Sequence, residues 1–353
     1  MTVAGRKGHV EMFFGCGCDQ DYFCMPLVAH RGDTQVWHAR VEYLPKKGSQ
    51  LDYFYVVAGL IGLFFGGEAL VRGSVGIARR MAIPPLLIGL TVVGFGTSTP
   101  ELLVSVDAAL RGVPDIAVGN IVGSNIANIL LILGLTALVW PITVMGATLR
   151  RDTLVMVASA LALVPVFALA HMGRLSGAML VLGLVGYLVW AYRTPGAAPD
   201  EDENLPAPPS TWVWVLGGLT ILMLGARFLV DGAVNIARGY GISEAFIGLT
   251  IVAVGTSLPE LATSLIAAMR RQSEIAIGNI VGSNIFNVMG ILGITAVISP
   301  IPIAGRFLTF DLPVMIAVSL VLTLLLLTQP KIGRITGVAL LVGYVAYVWA
   351  AQG

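Results

Sequence analysis

Charged residues are scarce in this sequence. They make up 12% of its 353 residues, whereas soluble domains carry about 25%. The mean hydropathy is +0.86, and a net charge of +1 leaves no basic field that could attract nucleic acid. The composition excludes an ordinary soluble domain and predicts an integral, multi-pass membrane protein whose main surroundings are the lipid bilayer.

Cysteine, histidine and lysine are also rare where they would carry chemistry. The cysteines Cys16, Cys18 and Cys24 all lie before the first long apolar run, without the spacing of a structural zinc site. The one histidine after residue 50 is His171, in a predicted loop. An intramembrane hydrolase would need a base beside its serine nucleophile. We therefore expect no enzymatic activity and no cofactor.

Long apolar runs fill the chain after residue 50. A membrane-spanning helix needs about 20 apolar residues, and ten such runs follow one another. We predict an all-α, polytopic fold of ten transmembrane helices, at 52–78, 84–110, 115–139, 148–170, 174–192, 211–237, 243–269, 274–298, 308–328 and 332–350.

These runs fall into two groups of five around a short polar segment. Residues 193–210 are acidic and rich in proline, which is typical of a tether rather than a folded domain. We expect a first five-helix repeat at 51–192 and a second at 211–353. Residues 1–50 are mixed and aperiodic, and we expect them to be a disordered or spurious N-terminal tail.

One motif occurs once in each group, at a constant offset of 159 residues. Residues 96–101 read Gly-Thr-Ser-Thr-Pro-Glu, and residues 255–260 read Gly-Thr-Ser-Leu-Pro-Glu. The run Gly-Asn-Ile-Val-Gly-Ser-Asn-Ile at 119–126 returns at 278–285. Because five is an odd number of spans, the second copy enters the membrane from the opposite side. The sequence therefore predicts inverted-topology repeats, the architecture of alternating access.

Each motif places a carboxylate inside an apolar span, where a charge costs roughly 2.5–3.5 kcal/mol on insertion scales and marks a functional site by default. Thr97 and Ser98 share a helix face with Glu101. Pro100 withdraws a backbone donor, so the helix should bend there and turn carbonyl groups inward. The second copy repeats this arrangement with Thr256, Ser257, Pro259 and Glu260.

The next span of each repeat supplies a facing stripe of polar residues spaced by four. These stripes are Asn120, Ser124 and Asn128 in the first repeat and Asn279, Ser283 and Asn287 in the second. Carboxylate, hydroxyl, amide and carbonyl oxygens suit hard cations such as Ca²⁺ and Na⁺. One Ca²⁺, two Na⁺ or two protons would neutralise the two acids, which predicts coupled exchange rather than a leak.

The motifs resemble the two alpha repeats of the calcium/cation antiporter superfamily, which includes the sodium/calcium exchangers. Gly-Thr-Ser-x-Pro-Glu at 96–101 and 255–260 and Gly-Ser-Asn-Ile-x-Asn at 123–128 and 282–287 carry this resemblance. It covers about residues 51–353, and the short linker is similar to that of prokaryotic members. The resemblance implies ten helices around one Ca²⁺ position and several Na⁺ positions, in a prokaryotic inner membrane.

The resemblance also implies a role for each matching residue. Glu101 and Glu260 would bind Ca²⁺ with the backbone carbonyls of Thr97 and Thr256. Asn128 and Asn287 would line the middle, and relatives that depend on potassium have Asp in place of Asn287, so Asn argues against that dependence. The Na⁺ positions would be completed by Ser98, Ser257, Ser124 and Ser283, with carbonyls near Gly94 and Ala253.

Three transport functions remain open at this point. Exchange of Ca²⁺ for Na⁺ is the favoured interpretation. Exchange of Ca²⁺ or another cation for protons would use the same carboxylates. A cation channel would conduct without a counter-ion, and the inverted repeats with charged residues at the centre argue against it.

Overall fold

The computed structural model describes residues 2–6, 9–13, 27–31, 37–39, 50–143, 147–194, 210–242 and 253–351. From residue 50 onward the described chain is almost entirely helical, because within lipid each backbone group must find its partner inside its own segment. The helices are α1 (Gln50–Met81), α2 (Pro85–Thr97), α3 (Thr99–Leu110), α4 (Pro114–Val139), α5 (Ala147–Ala168), α6 (Arg174–Arg193), α7 (Thr211–Gly239), α8 (Leu258–Met269), α9 (Ser273–Ile298), α10 (Phe307–Thr328) and α11 (Arg334–Ala351).

The predicted polytopic helical fold is confirmed. Within the residues that the structure describes, eight helices are long and apolar enough to cross a membrane, or nine if the bent pair α2–α3 forms one span. Residues 195–209 of the linker and the first part of the predicted span 243–269 lie outside the described residues. The count of ten spans, the inverted topology and the domain boundaries therefore stay predictions.

Two helices form the centre of the bundle. In α4 and α9, 78% and 83% of the most apolar window is buried inside the protein, against 44% or less in the other described spans. Both helices carry the polar stripe predicted from the sequence, and both are enclosed by apolar residues such as Ile121, Ile129, Ile280 and Ile291. The polar stripes are therefore shielded from lipid.

Helices α1 and α7 pack through their backbones. A Cβ atom added to Gly66 would lie 2.6 Å from the backbone nitrogen of Leu222, and one added to Gly218 would lie 2.6 Å from that of Leu70. Only glycine permits such an approach, which is a common way to join helices in lipid.

Short strands connect the repeats at two places. Strands β1 to β4 (Thr2–Arg6, His9–Phe13, Leu27–Arg31 and Trp37–Ala39) form an antiparallel sheet ahead of α1. Further along, β5 (Ile142–Thr143) pairs with β8 (Lys331–Ile332), and β6 (His171–Met172) pairs with β7 (Ile301–Pro302). Each of the later pairs joins one strand from each predicted repeat, and each strand lies where the 159-residue offset places its equivalent. The exchange of partners is what a two-fold relation between the repeats requires.

Candidate cation site

Each acidic motif lies at a break between helical segments. In the first repeat α2 ends at Thr97, and α3 begins at Thr99 at an angle of 44° to it. Ser98 occupies the break with φ −83° and ψ 10°, and Pro100 follows in the first turn of α3, where its missing N–H removes no helical bond. Ser257 precedes α8 with φ −89° and ψ 6°. The predicted bend at the proline of the first motif is therefore confirmed.

Glu101 and Glu260 lie in the first turn of the helix that follows each break. This end of a helix favours negative charge, because its free N–H groups and its dipole are positive. Each glutamate is only 1% exposed. Both carboxylates therefore lie inside the protein, and neither is at its periphery.

The two motifs meet through hydrogen bonds that cross between the repeats. The Ser98 hydroxyl donates to Oε1 of Glu260 over 2.9 Å, and the Ser257 hydroxyl donates to Oε1 of Glu101 over 3.3 Å. Each serine thus binds the acid of the opposite copy. The structure brings these four predicted site residues together at one place.

The second oxygen of each carboxylate is available. Oε2 of Glu101 and Oε2 of Glu260 are buried and accept no hydrogen bond from the described part of the chain, and the same holds for Oδ1 of Asn128 and Oδ1 of Asn287. Buried polar atoms are normally paired, and an exception needs an explanation. Four buried oxygen atoms without a donor are the ligand set that a hard cation prefers.

Both central asparagines lie in π-helical turns, Asn128 at the start of Asn128–Ile132 and Asn287 within Phe286–Leu292. A π-turn inserts an extra residue into the helical ladder and often marks a functional position. The turn changes the face that α4 and α9 present after residues 127 and 285. This change separates the two central asparagines from the earlier members of each polar stripe.

Asn120 and Asn279 have a bracing role. Asn120 Nδ2 donates to the backbone carbonyl of Glu101 over 3.2 Å and to Ser105 over 3.0 Å. Asn279 binds the carbonyl of Glu260 and the hydroxyl of Ser264 over 3.2 and 2.9 Å. These asparagines therefore hold the first turn of α3 and α8, and their amide nitrogens do not face the free carboxylate oxygens.

The hydroxyl groups of the remaining predicted residues have different surroundings. Thr97 Oγ1 donates to the Val93 carbonyl over 3.0 Å and lies 3.2 Å from Oδ1 of Asn279. Thr256 Oγ1 is a buried atom with no hydrogen-bond partner in the described chain. Ser283 donates to the Gly94 carbonyl over 3.3 Å, and Ser124 is 5% exposed at the equivalent position of α4.

Sequence reasoning missed two further asparagines. Asn287 Nδ2 donates to Asn125 Oδ1, and Asn128 Nδ2 donates to Asn284 Oδ1, each over 3.1 Å. Both belong to the repeated Gly-Ser-Asn-Ile run, so the signal was present in the sequence. Their spacing, however, does not place them in the polar stripe.

The site can bind a cation without a conventional cluster of metal ligands. The described residues contain no group of three or more His, Cys, Asp and Glu side chains that could hold a metal ion. Its oxygens come from two carboxylates, two amides and neighbouring hydroxyl groups. Oxygen-only ligands of low total charge suit Ca²⁺ and Na⁺ better than transition metals.

Comparisons with known proteins agree with this chemistry. The family model described as "Sodium/calcium exchanger protein" matches residues 51–193 and 210–352. Sodium/calcium exchanger MaX1 of Methanosarcina acetivorans is 32% identical over 342 residues, covering 84% of this chain and 97% of the relative. Inner membrane protein YrbG of Escherichia coli is 38% identical over 310 residues, covering 84% and 95%.

A solved structure has the same fold. The sodium-calcium exchanger NCX_Mj aligns with a TM-score of 0.75 and 34% identity, covering 85% of this chain and 99% of the other. The membrane location and the transporter class predicted from the sequence are confirmed. The family model covers both repeats, and the chain belongs to the sodium/calcium exchanger family.

Proposed function

We propose that this protein is a secondary antiporter that exchanges Ca²⁺ for Na⁺ across the membrane, and that Glu101 and Glu260 bind the transported ions. The observation that carries the proposal is the crossed pair of buried acids. One oxygen of each is held by the serine of the opposite repeat, and the other has no donor in the described chain. Family membership and the names of the relatives support the choice of ions.

Charge explains the coupling. Two ionised carboxylates inside the protein carry a charge of −2, which is costly in a low dielectric unless it is compensated. One Ca²⁺ or two Na⁺ would compensate it. The protein should therefore change its access state most readily when the site is loaded, so that one ion species moves only in exchange for the other.

The remaining oxygen ligands complete the site. We assign Ca²⁺ to a position between the two carboxylates and the carbonyls of Thr97 and Thr256. The amide oxygens of Asn128 and Asn287 line the same cavity. Four serines from the two repeats would complete the Na⁺ positions, namely Ser98, Ser257, Ser124 and Ser283.

The partner exchange between the repeats supports alternating access. Crossed hydrogen bonds at the site and crossed strand pairs at the ends have the two-fold relation that inverted repeats produce. In such proteins the inward-open and outward-open states are near-equivalents around a fixed site. An inner-membrane location is proposed on the same grounds as for the bacterial relative.

Ion flux in proteoliposomes tests the proposal. Vesicles loaded with Na⁺ should accumulate radiolabelled Ca²⁺ when diluted into Na⁺-free buffer, and a protonophore should not prevent it. Uptake that requires a proton gradient would reveal exchange for protons instead. Uptake without any counter-ion gradient would indicate a channel and would overturn the proposal.

A further inference from the structure

We infer that Asn125 and Asn284 are positioning residues of the ion site, each acting through an asparagine of the opposite repeat. The inference rests on the ion site proposed above. It concerns residues that sequence reasoning left out, and it extends the site to the outer helices α5 and α10. Its basis is two chains of hydrogen bonds that have the same direction in both repeats.

The first chain runs from α10 through α4 to α9. Asn287 Nδ2 donates to Asn125 Oδ1 over 3.1 Å, and Asn125 Nδ2 lies 3.5 Å from the thioether sulfur of Met315. The second chain runs from α5 through α9 to α4, with 3.1 Å between Asn128 and Asn284 and 3.6 Å between Asn284 and Met156. The 159-residue offset relates every member of one chain to a member of the other.

Burial makes the direction of each chain matter. All four asparagines are at most 3% exposed, and Met156 and Met315 are 2% and 0% exposed. A side-chain amide has one acceptor oxygen and one donor nitrogen. Since Nδ2 of Asn287 binds Asn125, its Oδ1 is the atom left for the cavity, where it has no donor in the described chain. Rotation of this amide by 180° would instead present N–H groups to a cation.

The thioether fixes the outer end of the chain. Sulfur in methionine can accept a hydrogen bond and cannot donate one. It therefore selects the orientation of Asn125 in which Nδ2 faces Met315 and Oδ1 faces Asn287. If Asn125 were reversed, two N–H groups would face each other across the repeat interface. The orientation is thus passed from Met315 to Asn125, from Asn125 to Asn287, and from Asn287 to the ion.

A double-mutant cycle tests this inference in proteoliposomes. The apparent KM for Ca²⁺ and the maximal rate are measured at a fixed Na⁺ gradient for Asn125→Ala, Asn287→Ala and the double variant. We expect Asn125→Ala to raise the KM by about tenfold or more, the range found when an outer partner of a metal ligand is removed. Because Asn125 acts through Asn287, the double variant should be no worse than Asn287→Ala alone. Effects that multiply would overturn the inference.

The cycle separates this inference from the proposed ion site. If Asn287→Ala leaves the KM unchanged, the amide is not part of the site and the assignment of ligands fails. If Asn287→Ala raises the KM and Asn125→Ala does not, the ion site stands and the positioning role fails. A role for Asn125 in folding alone would lower the melting temperature with an unchanged KM.

A second variant keeps the test decisive if Asn125→Ala does not fold. Met315→Leu keeps the side-chain volume and removes only the sulfur acceptor. It should raise the KM by less than Asn125→Ala. The matched control is Met289→Leu, because Met289 lies in the same π-turn as Asn287 but points toward Gly183 on α6. A KM for Met315→Leu equal to that of the control would contradict the inference.

Discussion

Glu68 on α1 and Arg227 on α7 occupy equivalent positions of the two repeats and carry opposite charges. The Glu68 carboxylate accepts hydrogen bonds from Arg72 over 2.6 Å and from Arg270, at the end of α8, over 2.9 Å. Arg227 forms a 3.7 Å ion pair with Asp231, one turn along its own helix. The counterpart of Arg270 is Arg111, which pairs with Asp107 on α3. Glu68 therefore joins two helices, whereas each of the counterpart pairs stays within one helical segment.

Packing around these pairs differs in the same sense. Helix α1 lies so close to α8 that a Cβ atom on Gly67 would come within 2.5 Å of Ile266 Cδ1. Ile266 is 6% exposed. Its counterpart on α3 is Asp107, whose side chain is 58% exposed. Helix α1 therefore covers a face of α8, and the matching face of α3 is open.

The comparison separates two physical requirements. The central hydrogen bonds are crossed and equivalent, as expected if the same ligands hold ions in both access states. A contact at the edge needs to form in only one state. If the repeats exchanged their roles, Arg227 would approach Arg111, and two like charges would repel each other. We therefore expect the pair of Glu68 and Arg270 to favour the state in which α1 covers α8.

The largest expected effect tests the equivalence of the centre. Glu101→Gln and Glu260→Gln should each reduce Na⁺-driven Ca²⁺ uptake to background. We expect a loss above the roughly 10–100-fold that follows removal of an outer partner, because each change removes a charged ligand. Asp107→Asn, which removes a carboxylate from the exposed face of α3, is the matched control. Full activity in either glutamine variant would show that the two acids are not equivalent ligands.

The crossed serines should give a smaller and paired effect. A hydrogen bond to a charged group is worth about 1.5–3 kcal/mol, so Ser98→Ala and Ser257→Ala should each weaken ion binding by about 10- to 100-fold. The apparent KM for Ca²⁺ measures this change. Ser98 has the shorter bond, 2.9 Å against 3.3 Å, and should show the larger effect. An effect confined to one serine would mean that the repeats do not contribute alike.

Much of this arrangement could be predicted because it depends on local chemistry. The apolar runs gave the helix positions to within a few residues, and Pro100 gave the bend, since a proline cannot donate to the helical ladder. The constant offset of 159 residues indicated that both acids occupy matching positions. That they meet could be expected only from the cost of a lone charge in lipid.

Other features depend on contacts that a sequence does not reveal. Asn120 and Asn128 are spaced by eight and were predicted to share a stripe, but the π-turn at Asn128–Ile132 separates their roles. Arg72 follows Glu68 by one helical turn, so that ion pair could be expected. Its second partner, Arg270, lies 202 residues away. No local pattern predicts such a pair.

The smallest expected effect concerns the ion pair at the edge. In Glu68→Gln the link between α1 and α8 is weakened, and a partly exposed pair of this kind is worth up to about 1 kcal/mol, or about a fivefold change in an equilibrium. Labelling by a membrane-impermeant thiol reagent reports this change if Ile266→Cys is introduced after Cys16, Cys18 and Cys24 are replaced by serine. We expect Glu68→Gln to increase the labelling rate of the cysteine at 266 several-fold, because α1 then covers α8 for less of the time. Asp231→Asn breaks an ion pair within one helix and should leave the rate unchanged. Equal rates in the Glu68→Gln and Asp231→Asn backgrounds would mean that the opposite charges at 68 and 227 do not bias the two access states.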